Sequence, residues 1–339
     1  MYKPPFTLTS KILSLVADIS EAVGRLTVLS EREQDFKLRR VNRIRTIQGS
    51  LAIEGNTLST DQITAILDGK RVIAPLREVK EAHNALAVYE RLADWQPSSN
   101  NDLLAAHREL MLGLVEDAGM YRQGGVGVMS GDKVVHMAPQ GDRVPKLMAD
   151  LLAWLESNDD HPLIASCVFH YEFEFIHPFS DGNGRMGRLW QSLLLSKWNI
   201  SFVNIPVESL IHQHQGEYYQ AINQSTIKSD SAPFIEFMLV MILDAINSFD
   251  ALSDELDGDS PQVTPQVSPQ VKNLVQYLNG DMGRDELQKA LGLSDRKSFR
   301  ERYIKPALEN GIIEMTKPDK PNSRLQKYRL TSVGKNLKD

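Results

Sequence analysis

The 339-residue chain has a single cysteine, Cys167, set in an apolar run. One cysteine excludes an intrachain disulfide and argues against a thiolate metal site, which fits a reducing cytoplasm. No stretch reads as approaching the roughly 20 apolar residues of a membrane span. The first ten residues, MYKPPFTLTS, lack the apolar core and small-residue cleavage site of a signal peptide. The expectation is a cytoplasmic protein with no membrane partner. Excess positive charge is missing too: a net charge of -6 argues against a chain that coats nucleic acid along its length. What is present is 42% hydrophobic residues, enough for a sizeable core and for two or three domains of ordinary size.

Periodicity predicts a mainly α protein. Residues 8–48 read as helical, with Ile12, Leu15, Val16 and Ile19 on one face. A second helix runs from about Glu31 to Ile53 and stops at Gly55 and Asn56, both good helix terminators. Ser59 or Thr60 caps the next one. Further helices are expected at 76–94, 100–115, 144–156, 162–176, 185–197, 208–225 and 233–255. Between them, glycines at 124, 125, 127 and 131 exclude a stable helix, and Val126, Val128, Val134 and Val135 flank "SGD", which predicts a β-hairpin. Asp254–Val271 is acidic and then punctuated by Pro261, Pro265 and Pro269, the composition of an extended linker. The segment after it reads as three helices, a strand, the turn "KPDKPNSR" and a second strand, that is, a winged helix-turn-helix. The expected organisation is therefore 1–95, an N-terminal helical region; 96–256, a core; 257–271, a Pro-rich linker; and 272–339, the winged unit. From residue 271 onward there are 15 Lys+Arg and 9 Asp+Glu, a net +6 that leaves -12 for the rest of a chain summing to -6. Arg296, Lys297, Arg300, Arg302 and Lys305 lie on or near the third helix of this basic unit, where DNA is a candidate partner.

The densest chemistry lies in "HPFSDGNGRMGR", His177–Arg188. The glycines of DGNG permit a sharp turn, and successive backbone N–H groups in such a turn form an anion nest. Met186, Leu189, Trp190, Leu193 and Leu194 then repeat with helical spacing, so the nest opens a helix whose N-terminal partial charge favours phosphate. Arg185 and Arg188 are three apart, on one face, and both offer fork-shaped donors. Asp181 beside a phosphate makes sense as a Mg²⁺ ligand. An imidazole at His177 is suited to taking a proton from a hydroxyl near neutral pH. The alternative is a surface loop ahead of an amphipathic helix with solvated arginines; the conjunction of all these parts argues against it.

This stretch closely resembles the signature of the Fic (filamentation induced by cAMP) family, His-Pro-Phe-x-Asp/Glu-Gly-Asn-Gly-Arg-x-x-Arg, with every fixed position filled. The resemblance covers about residues 35–250 and implies a Fic-type helical bundle with a small β-hairpin flap. It implies transfer of AMP from ATP to a Ser, Thr or Tyr hydroxyl of a target protein, the chain itself included, with release of pyrophosphate. By the same resemblance His177 is the general base, Asp181 the Mg²⁺ ligand, Gly182, Asn183 and Gly184 the anion hole, and Arg185 and Arg188 the phosphate clamps. Met186 and Gly187 complete that nucleotide-binding stretch. "SLAIEGN", Ser50–Asn56, resembles the family's inhibitory motif, Ser/Thr-x-x-x-Glu-Gly/Asn, and implies that Glu54 pairs with Arg188 at the γ-phosphate position. The hairpin at 125–137 resembles the flap that takes up a target segment as an added strand, with Val128, Met129 and Ser130 covering adenine or ribose. Tyr218 and Tyr219 resemble a pair beside the nucleotide base. Two other functions stay open: a nucleotide-sensing DNA-binding regulator, and transfer of another phosphate-containing group. A homodimer is a further candidate assembly. His136, His170, His212 and His214 do not form a zinc pattern, and His170 is expected to pack behind the active loop.

Overall fold

The computed structural model describes residues 2–30, 36–125, 127–130, 133–257, 269–278, 280–293, 299–309, 312–316 and 326–331. It divides into two compact units, Met1–Asp254 and Glu255–Asp339, and is mainly α.

In the first unit, α1 (Ser10–Ser30) and α2 (Phe36–Ile53) are followed by α3 (Thr60–Leu67), α4 (Leu76–Glu90) and α5 (Asn100–Leu110). Ser59 caps α3 in a capping box: its hydroxyl accepts from the Gln62 amide, and the Gln62 side chain accepts from the Ser59 amide, so two orphan donors of the helix start are satisfied together. The hairpin β1 (Gly127–Ser130) and β2 (Lys133–Met137) pairs antiparallel, Ser130 facing Lys133, with a bulge between Val128 and Met129. Gly131 and Asp132 at its tip, and Val126, lie outside the described residues. Then come α6 (Val144–Ser157), α7 (Pro162–Ile176), α8 (Asn183–Trp198), α9 (Val207–Gln213), α10 (Gln215–Lys228) and α11 (Ala232–Asp257). The single helix expected at 208–225 is in fact two, broken at His214, whose backbone leaves the helical region; the nearby glycine, Gly216, falls inside the second helix and does not mark the break itself.

Helix α7 is apolar all round and buried along most of its length, as a central helix must be. It packs against α8 more extensively than any other two helices of the unit. Residues of α1 through α11 feed one continuous core, so no break in packing separates 1–95 from the rest of this unit. The extended segment ahead of α1 is tied to the start of α11: Pro5 accepts from the Ser231 amide, and Thr7 bonds Asp230 through amide and hydroxyl. Within α11, Ala232–Phe249 has a mean hydropathy of 1.6 and is long and apolar enough to cross a membrane. The expectation that no stretch approaches a span is corrected on that point. Phe234, Ile235, Met238, Leu239 and Ile242 on this helix are all buried in the core.

The second unit contains α12 (Pro269–Tyr277), β3 (Met282–Gly283), α13 (Arg284–Ala290), a π turn over Arg300–Ile304 leading into α14 (Lys305–Glu309), β4 (Ile313–Met315) and β5 (Lys327–Leu330). Its sheet has the order β3-β5-β4, antiparallel throughout. It therefore has three strands where the sequence predicts two. β3 is two residues long and ends in glycine, too short for any alternation of side chains to announce it. Val271, Leu274, Leu287, Phe299, Ile304 and Tyr328 build a separate core. Arg284, Lys289, Arg300 and Lys305 are exposed; Arg296, Lys297 and the turn 317–324 lie outside the described residues.

Candidate active site

The C-terminus of α7 and the N-terminus of α8 are joined by six residues, His177–Gly182, and the fold of that loop decides the site. His177 caps α7 in the left-handed region, φ 51° and ψ 62°, a conformation that costs a residue other than glycine on the order of 1 kcal/mol. Side-chain packing and hydrogen bonds hold the loop. Phe179 is fully buried and stacks on the His107 ring at 3.6 Å. Asn183 closes a ring with Phe179, accepting from its amide at 2.8 Å and donating to its carbonyl at 2.9 Å. His107 accepts from the Gly119 amide on Nδ1, which puts its proton on Nε2, where it faces the Asp181 carbonyl at 3.0 Å. Burial drives the His107 pKa down to about 4, so the ring stays neutral in this role.

Gly182 begins α8 with φ 85°, and a Cβ there would lie 2.7 Å from Met111 Sδ. Both the conformation and the space demand glycine. The first intrahelical bond runs from the Met186 amide to the Gly182 carbonyl. The amides of Asn183, Gly184 and Arg185 thus open the helix without intrahelical acceptors, as first-turn amides do. Beside Gly184 lies the Glu54 carboxylate: a Cβ on Gly184 would be 2.3 Å from Glu54 Oε1. Only glycine leaves room for an anion there. The Asn183 side chain serves the loop, and Met186 points into the core. Gly187 lets α7 approach, since a Cβ would lie 2.8 Å from the His170 ring and 3.0 Å from Glu174.

The two arginines of α8 face different surroundings. Arg185 donates to Asp181 at 3.1 Å and lies 3.4 Å from Glu81. Arg77 on α4 bridges the same two acids, 3.1 Å from Asp181 and 3.3 Å from Glu81. These four side chains close a ring of alternating charge. Arg188 is 1% exposed. Its Nη2 donates to Glu54 Oε1 at 2.7 Å and to the Ser50 carbonyl at 3.0 Å, while Nε reaches the Ser50 hydroxyl at 3.3 Å. Burial works most strongly against the guanidinium charge, but Glu54, Tyr218 and Glu174 together outweigh it and hold the Arg188 pKa above its usual range.

Behind Arg188 lies Glu174, buried, with Oε1 lacking a hydrogen-bond partner. Desolvation pushes its pKa up to about 8, against the pull of Arg188. Its carbonyl is 3.4 Å from His177 Nδ1. His170, packed behind the loop, bonds Gln191 and the Tyr218 hydroxyl, and burial lowers its pKa to about 3. Cys167 is buried beside it, and desolvation raises the thiol pKa to about 12. Tyr218 is 1% exposed while Tyr219 beside it is 40% exposed, their rings 5.3 Å apart. Strand β2 runs next to α10, which carries both tyrosines. Val128, Met129 and Ser130 lie on β1, its partner.

The fold therefore brings His177, Asp181, Gly182, Gly184, Arg185, Arg188, Ser50 and Glu54 together around the start of α8. Arg77, Glu81, His107, Arg122 and Glu174 also take part, and the sequence reading missed them. Arg77 and Glu81 carried one signal, their i,i+4 spacing on α4, but that pattern is common on solvated helices.

Residues 97–195 match the Fic/DOC family, and residues 269–331 match the Filamentation induced by cAMP protein Fic-like, C-terminal domain. Over 205 residues the chain is 30% identical to Protein adenylyltransferase Fic of Nematostella vectensis, covering 57% of this chain and 45% of that protein. Protein adenylyltransferase fic-1 of Caenorhabditis briggsae is 31% identical, over 56% of this chain and 38% of its own length. The chain thus spans less than half the length of these curated relatives. Among solved structures, Fic-1 of C. elegans (residues 134–508) shares the fold, with TM-score 0.58 and 22% identity over 73% of this chain and 72% of that one. A Fic family protein from Desulfovibrio desulfuricans G20 is similar throughout: TM-score 0.75 and 51% identity, over 98% of this chain and 99% of the other. With that likeness running nearly end to end, this chain belongs to the Fic family.

Proposed function

We propose that the chain transfers AMP from ATP to a side-chain hydroxyl of a protein, itself included, and that Glu54 holds this activity down. One observation carries the reading. The Glu54 carboxylate sits over Gly184 at the start of α8, 2.7 Å from the buried Arg188. A carboxylate beside the first turn of a helix and paired with a buried arginine occupies a place suited to a phosphate oxygen. The names of the curated relatives, protein adenylyltransferases, support AMP as the transferred group.

The chemistry follows from the residues. A carbonyl can only accept, so His177 Nδ1 facing the Glu174 carbonyl carries the ring proton, and Nε2 is left as the base. Nε2 takes the proton of the target hydroxyl as its oxygen bonds to the α-phosphorus. The bond from that phosphorus to the bridging oxygen of the β-phosphate breaks, and pyrophosphate leaves. The first-turn amides of α8 and Arg185 receive the phosphate charge in a preorganised array. Arg188 receives the γ-phosphate once Glu54 has moved. Tyr219, the accessible ring of its pair, is the candidate stacking partner of adenine. A target segment adds to the hairpin edge as a strand.

Among the described residues no group of three or more His, Cys, Asp or Glu side chains could hold a metal. Asp181 is a part-exposed carboxylate, which suits a Mg²⁺ bound mostly by phosphates and water rather than by a protein cage. Asp181 would hold such an ion, which would neutralise charge on the phosphates.

The test compares α-labelled and γ-labelled ATP, with wild type and Glu54→Gly. Protein-bound label from the α position alone is the expected result. Label from the γ position alone means phosphoryl transfer. No label, even with Glu54→Gly, overturns the enzyme reading in favour of a nucleotide-sensing regulator.

A further inference from the structure

Arg122 is 3% exposed, yet among the described residues no carboxylate pairs with it. Its partners are backbone carbonyls. Nε donates to the His177 carbonyl at 2.6 Å; Nη2 donates to Ile176 at 3.1 Å and to Pro139 at 2.6 Å; Nη1 donates to Gly124. Its own amide donates to the Pro178 carbonyl at 3.0 Å. One residue thus gathers three consecutive carbonyls, Ile176 to Pro178, at the turn that holds His177 in its left-handed conformation. It also gathers the two ends of the hairpin, Gly124 before β1 and Pro139 after β2. The ends are in close contact nearby as well: a Cβ on Gly141 would lie 2.1 Å from the Gln123 carbonyl oxygen.

A lysine would not do this. The guanidinium offers five N–H donors in a rigid plane, whereas an ammonium offers three on a flexible stem. An arginine bonded to carbonyls of three separate segments fixes their mutual distance as well as their presence.

We propose that Arg122 is a positioning residue that sets the distance between the hairpin and His177, and thereby selects which hydroxyl of a docked target segment is modified. The inference rests on the transferase reading above and extends it to substrate choice. Side chains on one face of an added strand repeat every two residues, roughly 6.6 Å apart. A base acts over a heavy-atom distance of about 2.6–3.2 Å. A hairpin held rigidly to the histidine turn therefore presents one hydroxyl to Nε2 and leaves its neighbours out of reach. A hairpin free to shift by an ångström loses the aligned geometry, at a cost on the order of 100-fold in rate.

The test uses the full chain carrying Glu54→Gly, with Arg122→Lys or Arg122→Gln added. The expected result is a fall in kcat of about 10- to 100-fold with ATP affinity unchanged within about twofold. Mass spectrometry should find the modification spread over additional hydroxyls. Amide hydrogen exchange should rise together in segments 124–139 and 176–178. Should the Arg122 variants not fold, Gly141→Ala forces the hairpin ends apart with Arg122 intact and should give the same kcat loss and the same paired rise in exchange. An unchanged kcat with an unchanged pattern of modified sites overturns the proposal, as does exchange that rises in only one of the two segments. Failure of the transferase reading is separate: it shows as no transfer by the Glu54→Gly parent, and the exchange measurement still tests the clamp.

Discussion

Arg185 and Arg188 stand three residues apart on α8, and both are buried, but they are restrained in opposite ways. Arg185 belongs to a closed ring in which Asp181 and Glu81 are shared with Arg77. Two positive and two negative charges balance there, and removing one acid leaves another. Arg188 has one carboxylate, Glu54, supplied from the end of another helix, and two oxygens of Ser50. Each arginine keeps one buried nitrogen without a hydrogen-bond partner among the described residues, Nε in Arg185 and Nη1 in Arg188. The outer arginine is buffered, and the inner one is released by a single side-chain movement. The same residue type on the same helix face is tied by several partners in one place and by a single carboxylate in the other.

The largest expected effect breaks the inner pair. Glu54→Gly should raise incorporation of α-labelled AMP well beyond tenfold, since misaligned reacting groups cost more than one hydrogen bond. Adding Arg188→Ala should cancel that gain. A double variant as active as Glu54→Gly would show that the freed arginine is not what transfer uses. The outer ring should answer in stability as well as in transfer. Arg185→Ala leaves Glu81 and Asp181 short of a cation, and urea denaturation should register a loss of about 2 kcal/mol.

Next is a pH effect. Glu174 has its pKa raised from 4.5 to about 8 by burial, so its contribution to stability is present at low pH and is lost as pH rises through about 8. His107 and His170, pushed down to about 4 and about 3, act oppositely: their contribution is present above about 6.5 and is lost toward acid. Melting temperature should therefore decline between pH 6.5 and 8.5, and Glu174→Gln should flatten that decline. Glu172 and Glu208, also raised by burial, leave a residual slope. The smallest effect is expected at Arg77, whose side chain is 62% exposed. Arg77→Ala should change the unfolding free energy by about 0.5 kcal/mol or less. A loss matching that of Arg185→Ala would mean that the ring is rigid as a whole and that the two arginines differ less than their burial indicates.

What the sequence disclosed depends on how far each interaction reaches. Helix α7 was legible at both ends because Pro162 sits in its first turn and His-Pro follows its last. The break at His214 was not, because the glycine near it, Gly216, lies two residues on, inside the next helix. The twelve residues from His177 to Arg188 were legible because turn, helix start and both cations are contiguous. Glu54 and Arg188, 134 positions apart, were paired only through a family resemblance. Arg122, His107 and Arg77 meet the loop across 55, 74 and 104 positions. Their partners are largely backbone carbonyls, which look alike in every sequence. Glu174 was hidden differently: "FHYEFEFI" marks a buried helix, but nothing in it says which of its carboxyls lies next to Arg188.

Gly49 has a kinetic consequence. A Cβ on this residue of α2 would lie 2.7 Å from the backbone of Glu208 on α9, so the two helices touch main chain to main chain. The helix that delivers Glu54 is fastened down and cannot swing away as a lever. Escape of the carboxylate is left to the Glu54 side chain and the turn at Gly55, whose φ is 87°. Side-chain rotations of exposed groups take picoseconds to nanoseconds, against microseconds to milliseconds for collective helix motion. Under the proposed function, a brake of that kind would re-equilibrate many times within a single catalytic cycle, and idling turnover would follow the fraction of time the carboxylate spends off the arginine. Rising ATP would then lift the rate smoothly by competing for that fraction, without a lag or a threshold.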